Sequence, residues 1–174
     1  MRLFIAINFS EGTRTRLVWL QDELQLGAVR GRFTAPENLH LTLAFLGQCT
    51  PAQTAAAKAT MDAVAFRPFP IEIDHLGRFQ RERGDIWWAG VRMSNPLMVL
   101  QQDLIDRLLA AGFQLETRLF RPHITLGRDI ITDTQTKTVP PFGETVCTIF
   151  LMQSEHLSGK LSYTPIYSVN TPEA

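Results

Sequence analysis

Apolar residues recur along the chain with two periods, and the switches between them outline the elements. Residues 2 to 8, RLFIAIN, are dominated by strand formers and predict a mostly buried strand. From Thr13 to Leu26 the period lengthens: Leu17, Leu20 and Leu24 fall on one helical face, Val18 widens the stripe, Ser10 stands where a cap belongs and Gly27 follows as a stop. Residues 31 to 38 hold Gly, Pro and Asn and read as a loop. In LHLTLAFLG, 39 to 47, the period drops to two, which puts His40, Thr42 and Ala44 on one face of a strand and Leu39, Leu41, Leu43 and Phe45 on the other.

The pattern then repeats with variations. Thr50 and Pro51 form a cap and first-turn pair for an Ala-rich helix reaching Ala65. IEIDHLGRF and IWWAGVR, joined by RERGD, predict a hairpin in which one of Trp87 and Trp88 points inward. Asn95 and Pro96 start a helix to Ala111 with Gly112 as its stop and Leu97, Leu100, Leu104, Leu108 and Leu109 on its apolar side. Arg121 and Pro122 introduce the strand HITLGR. A Thr-rich connection ending in Pro140 and Pro141 precedes two last strands, VCTIFLMQS and LSYTPIYSV.

Laid side by side, the two halves match: strand, amphipathic helix, loop, then His-Leu-Thr-Leu at 40 to 43 or His-Ile-Thr-Leu at 123 to 126. The motif histidines lie 83 positions apart (123 − 40), the offset that also carries Leu3 to Ile86 (86 − 3). DHLG at 74 to 77 has a rough echo in EHLS at 155 to 158. The fold class expected is α+β: a duplicated unit spanning residues 1 to 174 as one domain of two pseudo-symmetric lobes, each an antiparallel-rich sheet with outer helices, facing a shared central cleft.

Each motif carries chemistry. In a strand, positions i and i+2 project from one face, so an imidazole stands beside a hydroxyl while the intervening residues enter the core. An imidazole passes a proton near neutral pH, and a hydroxyl can donate to a phosphate oxygen. Two copies across a cleft supply proton-transfer groups on opposite sides of one phosphorus, as an in-line displacement requires. With Thr at 17 of 174 positions, two such motifs with apolar flanks arise by accident with a chance of roughly 0.002.

Composition narrows the partners. Seventeen basic and 17 acidic residues cancel, so a polyanion must be bound by a local patch. Fourteen of the basic residues are Arg, and Arg30, Arg32, Arg78, Arg81, Arg83, Arg118 and Arg121 cluster near the motifs and the hairpin. Phe33, Phe79 and Trp87 are candidates to stack on a base, with a core role as the alternative for each. The N-terminal run lacks the features of a signal peptide and no segment is long and apolar enough to span a bilayer, which points to the cytoplasm. Cys49 and Cys147 read as two buried thiols, and His75 and His156, with no Thr two places on, as structural or surface histidines. Motif histidines paired with hydroxyls do not resemble a catalytic zinc set, and neither common phosphate-loop motif is present, so no metal and no cofactor is expected.

PENLHLTLAFLG at 36 to 47, RPHITLGR at 121 to 128, the FIAI opening and the closing YTPIYS resemble the two-histidine phosphoesterase superfamily, specifically the RNA 2′,3′-cyclic phosphodiesterases also called 2′-5′ RNA ligases. The resemblance implies metal-independent hydrolysis of an RNA-terminal 2′,3′-cyclic phosphate to a 2′-phosphate, tRNA halves being among the partners. It makes His40 the proton donor to the leaving 3′ oxygen and His123 the proton acceptor that activates water, an assignment the near-symmetric motifs do not settle by themselves. Thr42 and Thr125 would hold nonbridging oxygens. Arg128 matches the family's basic residue after the second motif, its alternative being a surface charge paired with Asp129 or Asp133. Two other functions fit the residues: 2′-5′ ligation, with a 5′ hydroxyl in place of water, and noncatalytic binding of RNA ends. Net neutrality suggests a monomer that meets only the RNA terminus.

Overall fold

The computed structural model describes residues 1 to 116 and 118 to 172. Nine strands and three helices follow in the order β1 (Arg2–Asn8), α1 (Glu11–Gly27), β2 (Ala28–Phe33), β3 (His40–Gln48), α2 (Pro51–Ala63), β4 (Phe69–Phe79), β5 (Asp85–Val91), α3 (Asn95–Ala110), β6 (His123–Thr132), β7 (Lys137–Val146), β8 (Thr148–Leu157) and β9 (Lys160–Asn170), with a 3₁₀ turn at Pro36–Asn38. The strands form two antiparallel sheets, one in the order β3-β1-β8-β9 and one in the order β2-β6-β5-β4-β7. The fold is α+β, as the chain's patterning predicts.

Both sheets place the strand that opens a half beside the strand that carries its motif: β1 pairs with β3 and β5 with β6. The halves also exchange elements. α1 follows β1 in the chain but packs on the other sheet, against β2, β6 and β7, whereas α3 follows β5 and packs mainly on α2 and β3, with a smaller contact to β4. The exchange explains why Leu17 and Leu24 of α1, Leu41 and Leu43 of β3, Leu100 and Leu104 of α3, and Ile124 and Leu126 of β6 belong to one continuous buried cluster. Burying each side chain of this kind contributes roughly 1.5–3 kcal/mol before entropy is counted.

Local chemistry sets the helix ends. The Thr50 hydroxyl accepts from the Gln53 N–H at 3.1 Å while the Gln53 side chain accepts from the Thr50 N–H at 2.8 Å, a reciprocal cap on α2. The Ser94 hydroxyl accepts from the Leu97 N–H on α3, and Gly112 supplies the left-handed residue (φ 95°) that ends it. Ser10 precedes α1, but its side chain makes no cap: its hydroxyl and N–H both donate to Glu144 Oε1, at 2.8 and 2.9 Å, tying the helix start to β7.

Several expectations are corrected. Residues 31 to 33, expected at the start of a loop, belong to strand β2 (Ala28–Phe33); its central positions are exposed, so it carries no apolar alternation. From Lys137 on the Thr-rich connection is strand β7, and Pro140 and Pro141 are tolerated because β7 is an edge strand whose register on β4 is interrupted there. Register shifts in β3 reverse its alternation past Leu43, leaving Phe45 49% exposed, beside the Arg2 guanidinium at 4.9 Å. Both tryptophans are buried, Trp87 at 0% and Trp88 at 6% exposure, because a register shift between them lets Trp88 lie over Gly77. Leu109 is 43% exposed, on the margin of α3's apolar face. Cys147 is exposed in the connection between β7 and β8; Cys49 is buried, and both are free thiols. β4 and β8 hold corresponding places in their sheets, but His75 lies opposite Gly90, which pairs with His123, whereas His156 pairs with Leu161 near the β8–β9 turn.

Candidate active site

Strand periodicity turns both motifs toward one cavity. In each, the apolar partners Leu41 and Leu43, or Ile124 and Leu126, are buried while the His and Thr positions are half-buried. A cavity of about 1330 Å³ is lined by His40 and Thr42 from one sheet and by His123, Thr125 and Arg128 from the other, with Arg2, Arg32, Asn38, His156 and Tyr163 around them. The smaller hollow, about 480 Å³ between the end of α2 and the end of β9, holds no histidine and lies away from both motifs.

His40 is held on every side. Its Nδ1–H donates to the Asn38 carbonyl at 2.7 Å, which leaves Nε2 as the titrating nitrogen, and Nε2 lies 2.8 Å from the Thr42 hydroxyl. Its ring lies 4.8 Å from that of Phe4 and 5.2 Å, edge on, from that of Tyr163. Asn38 is itself fixed: only 5% exposed, its amide donates to the Leu161 carbonyl at 2.9 Å and accepts from the Tyr163 N–H at 3.3 Å. The loop before the first motif is thereby stitched to β9.

His123 is held more simply. Its Nδ1–H donates to the Arg121 carbonyl at 2.6 Å, so its titrating nitrogen is again Nε2, and the ring packs against Phe79 at 5.2 Å and Trp88 at 5.9 Å. Burial lowers the pKa of both imidazoles below the ordinary 6.5, only partly countered by their hydrogen bonds to carbonyls; the Arg128 guanidinium pushes both the same way. Burial also raises the Tyr163 phenol, with Arg128 opposing. Arg128 has no carboxylate within 4 Å among the described residues, and Asp129 pairs with Arg32 instead at 2.6 Å.

This arrangement, two imidazoles anchored through Nδ1, two hydroxyls and a guanidinium with no carboxylate partner among the described residues, suits a tetrahedral anion that exchanges protons on two sides. A family model described as LigT-like phosphoesterase matches residues 7–88. The RNA 2′,3′-cyclic phosphodiesterase of Escherichia coli K12 is 32% identical over 171 residues, covering 95% of this chain and 93% of that protein. The chain is a LigT-like phosphoesterase. The corresponding protein of Archaeoglobus fulgidus is 31% identical over 129 residues, 74% of this chain and 72% of its own length. Among solved structures, E. coli LigT complexed with 3′-AMP superposes with a TM-score of 0.85 at 28% identity, covering 99% of this chain and 98% of that one.

In this LigT-like phosphoesterase, all five residues singled out by their motifs, His40, Thr42, His123, Thr125 and Arg128, line one cavity. Of the stacking candidates Phe33 also lines it, Phe79 packs on His123, and Trp87 is core. Asn38, Phe4 and Tyr163 were not legible as site residues. Asn38 lies two positions before His40, but its hydrogen bonds reach 123 and 125 residues along the chain, a distance no local pattern carries.

Proposed function

We propose that this protein hydrolyses the 2′,3′-cyclic phosphate at RNA 3′ ends, tRNA halves among them, to a 2′-phosphate, with His123 as proton acceptor and His40 as proton donor. The reading is carried by one observation: two His-x-Thr pairs from different sheets, each imidazole bonded through Nδ1 to a carbonyl, open onto the same cavity. The names of the E. coli and A. fulgidus relatives, RNA 2′,3′-cyclic phosphodiesterase, support the substrate class.

The steps follow from the residues. Neutral His123 takes a proton through Nε2 from a water as that water's oxygen bonds to phosphorus. The bond from phosphorus to the 3′ oxygen breaks opposite it, and protonated His40 delivers its Nε2 proton to that oxygen. The product carries a 2′-phosphate and a 3′ hydroxyl; the histidines have exchanged protonation states and reset through solvent. Thr42 and Thr125 hold the nonbridging oxygens, and Arg128 offsets the charge that builds on them. Both motifs lie on one chain, in two lobes of one domain, so a monomer suffices.

Incubating a short RNA ending in 2′,3′-cyclic phosphate with the protein in excess EDTA, and reading the product by phosphorus NMR, tests the reaction. A 2′-monophosphate is expected. A 3′-monophosphate or unchanged substrate would contradict the reading, and in the second case a supplied 5′-hydroxyl RNA would show whether ligation takes its place.

A further inference from the structure

β2 has no counterpart in the other sheet: beyond β6 it adds a fifth strand, whereas β3 is an edge. Its four central residues, Val29 to Arg32, are exposed, so core packing does not account for it. It does carry two arginines, Arg30 and Arg32, two positions and roughly 6.6 Å apart along the strand. Arg32 lies directly opposite Arg128 in the β2–β6 ladder, and both line the cavity that holds the motif histidines. Like charges facing each other across a ladder are destabilising; Asp129 offsets Arg32, whereas Arg128 has no carboxylate within 4 Å among the described residues, so an external anion beside Arg128 would relieve the pair.

The backbone is shaped around this pair. Directly after Arg128, Asp129 adopts the left-handed region (φ 54°), uncommon for a residue with a side chain, and the β2–β6 register shifts there. Its carboxylate bonds to the Arg32 guanidinium, while Arg128 has no such partner among the described residues. Further out, Arg30 donates to the Arg83 carbonyl at 2.7 Å, bringing the charged turn between β4 and β5 alongside. Among the described residues, the acidic groups on the track and the cavity wall are Asp129, on Arg32, with Glu37, Glu155 and Glu116, the last 3.0 Å from Arg118.

We propose that Arg128, Arg32 and Arg30 form a track for the phosphodiester backbone of single-stranded RNA upstream of the reacting terminus, leaving the cavity along β2. The inference rests on the phosphodiesterase reading above. It makes the protein a reader of strand length, with phosphate contacts that position the substrate without selecting its sequence.

The test compares kcat/KM for cytidine 2′,3′-cyclic phosphate with that for a pentanucleotide ending in the same group, across a salt series, in the wild type and in R30Q/R32Q. The wild type should favour the pentanucleotide by about tenfold at low salt, and the double variant should lose most of that ratio. Two lost contacts at roughly 0.7 each should flatten the slope of log kcat/KM against log salt for the pentanucleotide by about 1.4. R30K/R32K should keep most of the slope. Absence of a length preference in the wild type, or its survival in R30Q/R32Q, would overturn the track while leaving the activity intact. Turnover of neither substrate would overturn the phosphodiesterase reading itself.

Discussion

The two motifs share their residue types and strand positions, yet their surroundings differ. His40 is enclosed by Phe4 and Tyr163, and both ring nitrogens have partners, the Asn38 carbonyl and the Thr42 hydroxyl. His123 rests on Phe79 and Trp88 and, among the described residues, is tied only through Nδ1, to the carbonyl of exposed Arg121 before Pro122. The motifs thus repeat the same residue types, while neighbours outside them, Phe4, Asn38 and Tyr163 on one side and Phe79 and Trp88 on the other, make the copies unequal. A proton donor benefits from a ring whose Nε2–H is already aimed. A proton acceptor needs an open Nε2 that water can reach.

The largest effect expected is from the imidazoles. His40→Ala and His123→Ala should each lower kcat by about 10³-fold or more, and the double variant should be little worse than either, because the two act in one step. With both pKa values lowered by burial, the wild-type bell of kcat/KM should centre below pH 6.5, and each variant should lose one limb. Equal, additive losses would show that the two groups act independently.

The threonines sharpen the comparison. Thr42→Val removes a group bonded both to His40 and, in the proposed complex, to phosphate; it should lower kcat by about 10- to 100-fold and move one limb of the pH profile. Thr125→Val should lower kcat with the limbs unmoved. The same displacement in both variants would erase the distinction.

Asn38→Ala breaks two bonds to β9 and leaves the Leu161 carbonyl and Tyr163 N–H short of partners, costing about 1–3 kcal/mol of stability by denaturant titration. It should also lower kcat more than it raises KM, since the His40 ring loses its fixed support. The smallest effect is on acid stability. Both histidines have folded pKa values below 6.5, so the unfolded chain takes up their protons first. Stability is full above pH 6.5 and declines as pH falls below it, and His40→Gln should flatten that decline.

How much of this was legible followed from how local each cause is. The helices α1, α2 and α3 and the strands β1, β4, β5 and β6 announce themselves through apolar spacing and turn residues such as Thr50, Pro51 and Gly112. β2 and β7 do not, since edge strands bury little and tolerate Gly31, Pro140 and Pro141. The exposure of Phe45 and the burial of both Trp87 and Trp88, where alternation turns only one inward, are not readable because a register shift reverses alternation without changing composition. The two His-x-Thr pairs are readable because i and i+2 suffice to describe them. The supports of His40 were not, because Phe4, Asn38 and Tyr163 meet only after β1, β3 and β9 are in place.

The division of labour is tested most directly by a 2′,3′-cyclic phosphate whose bridging 3′ oxygen is replaced by sulfur, a leaving group that departs as a thiolate without a proton. If His40 is the donor, His40→Ala should turn this substrate over at close to the wild-type rate while His123→Ala stays nearly inactive. Rescue of His123→Ala instead, or of neither variant, would contradict the account.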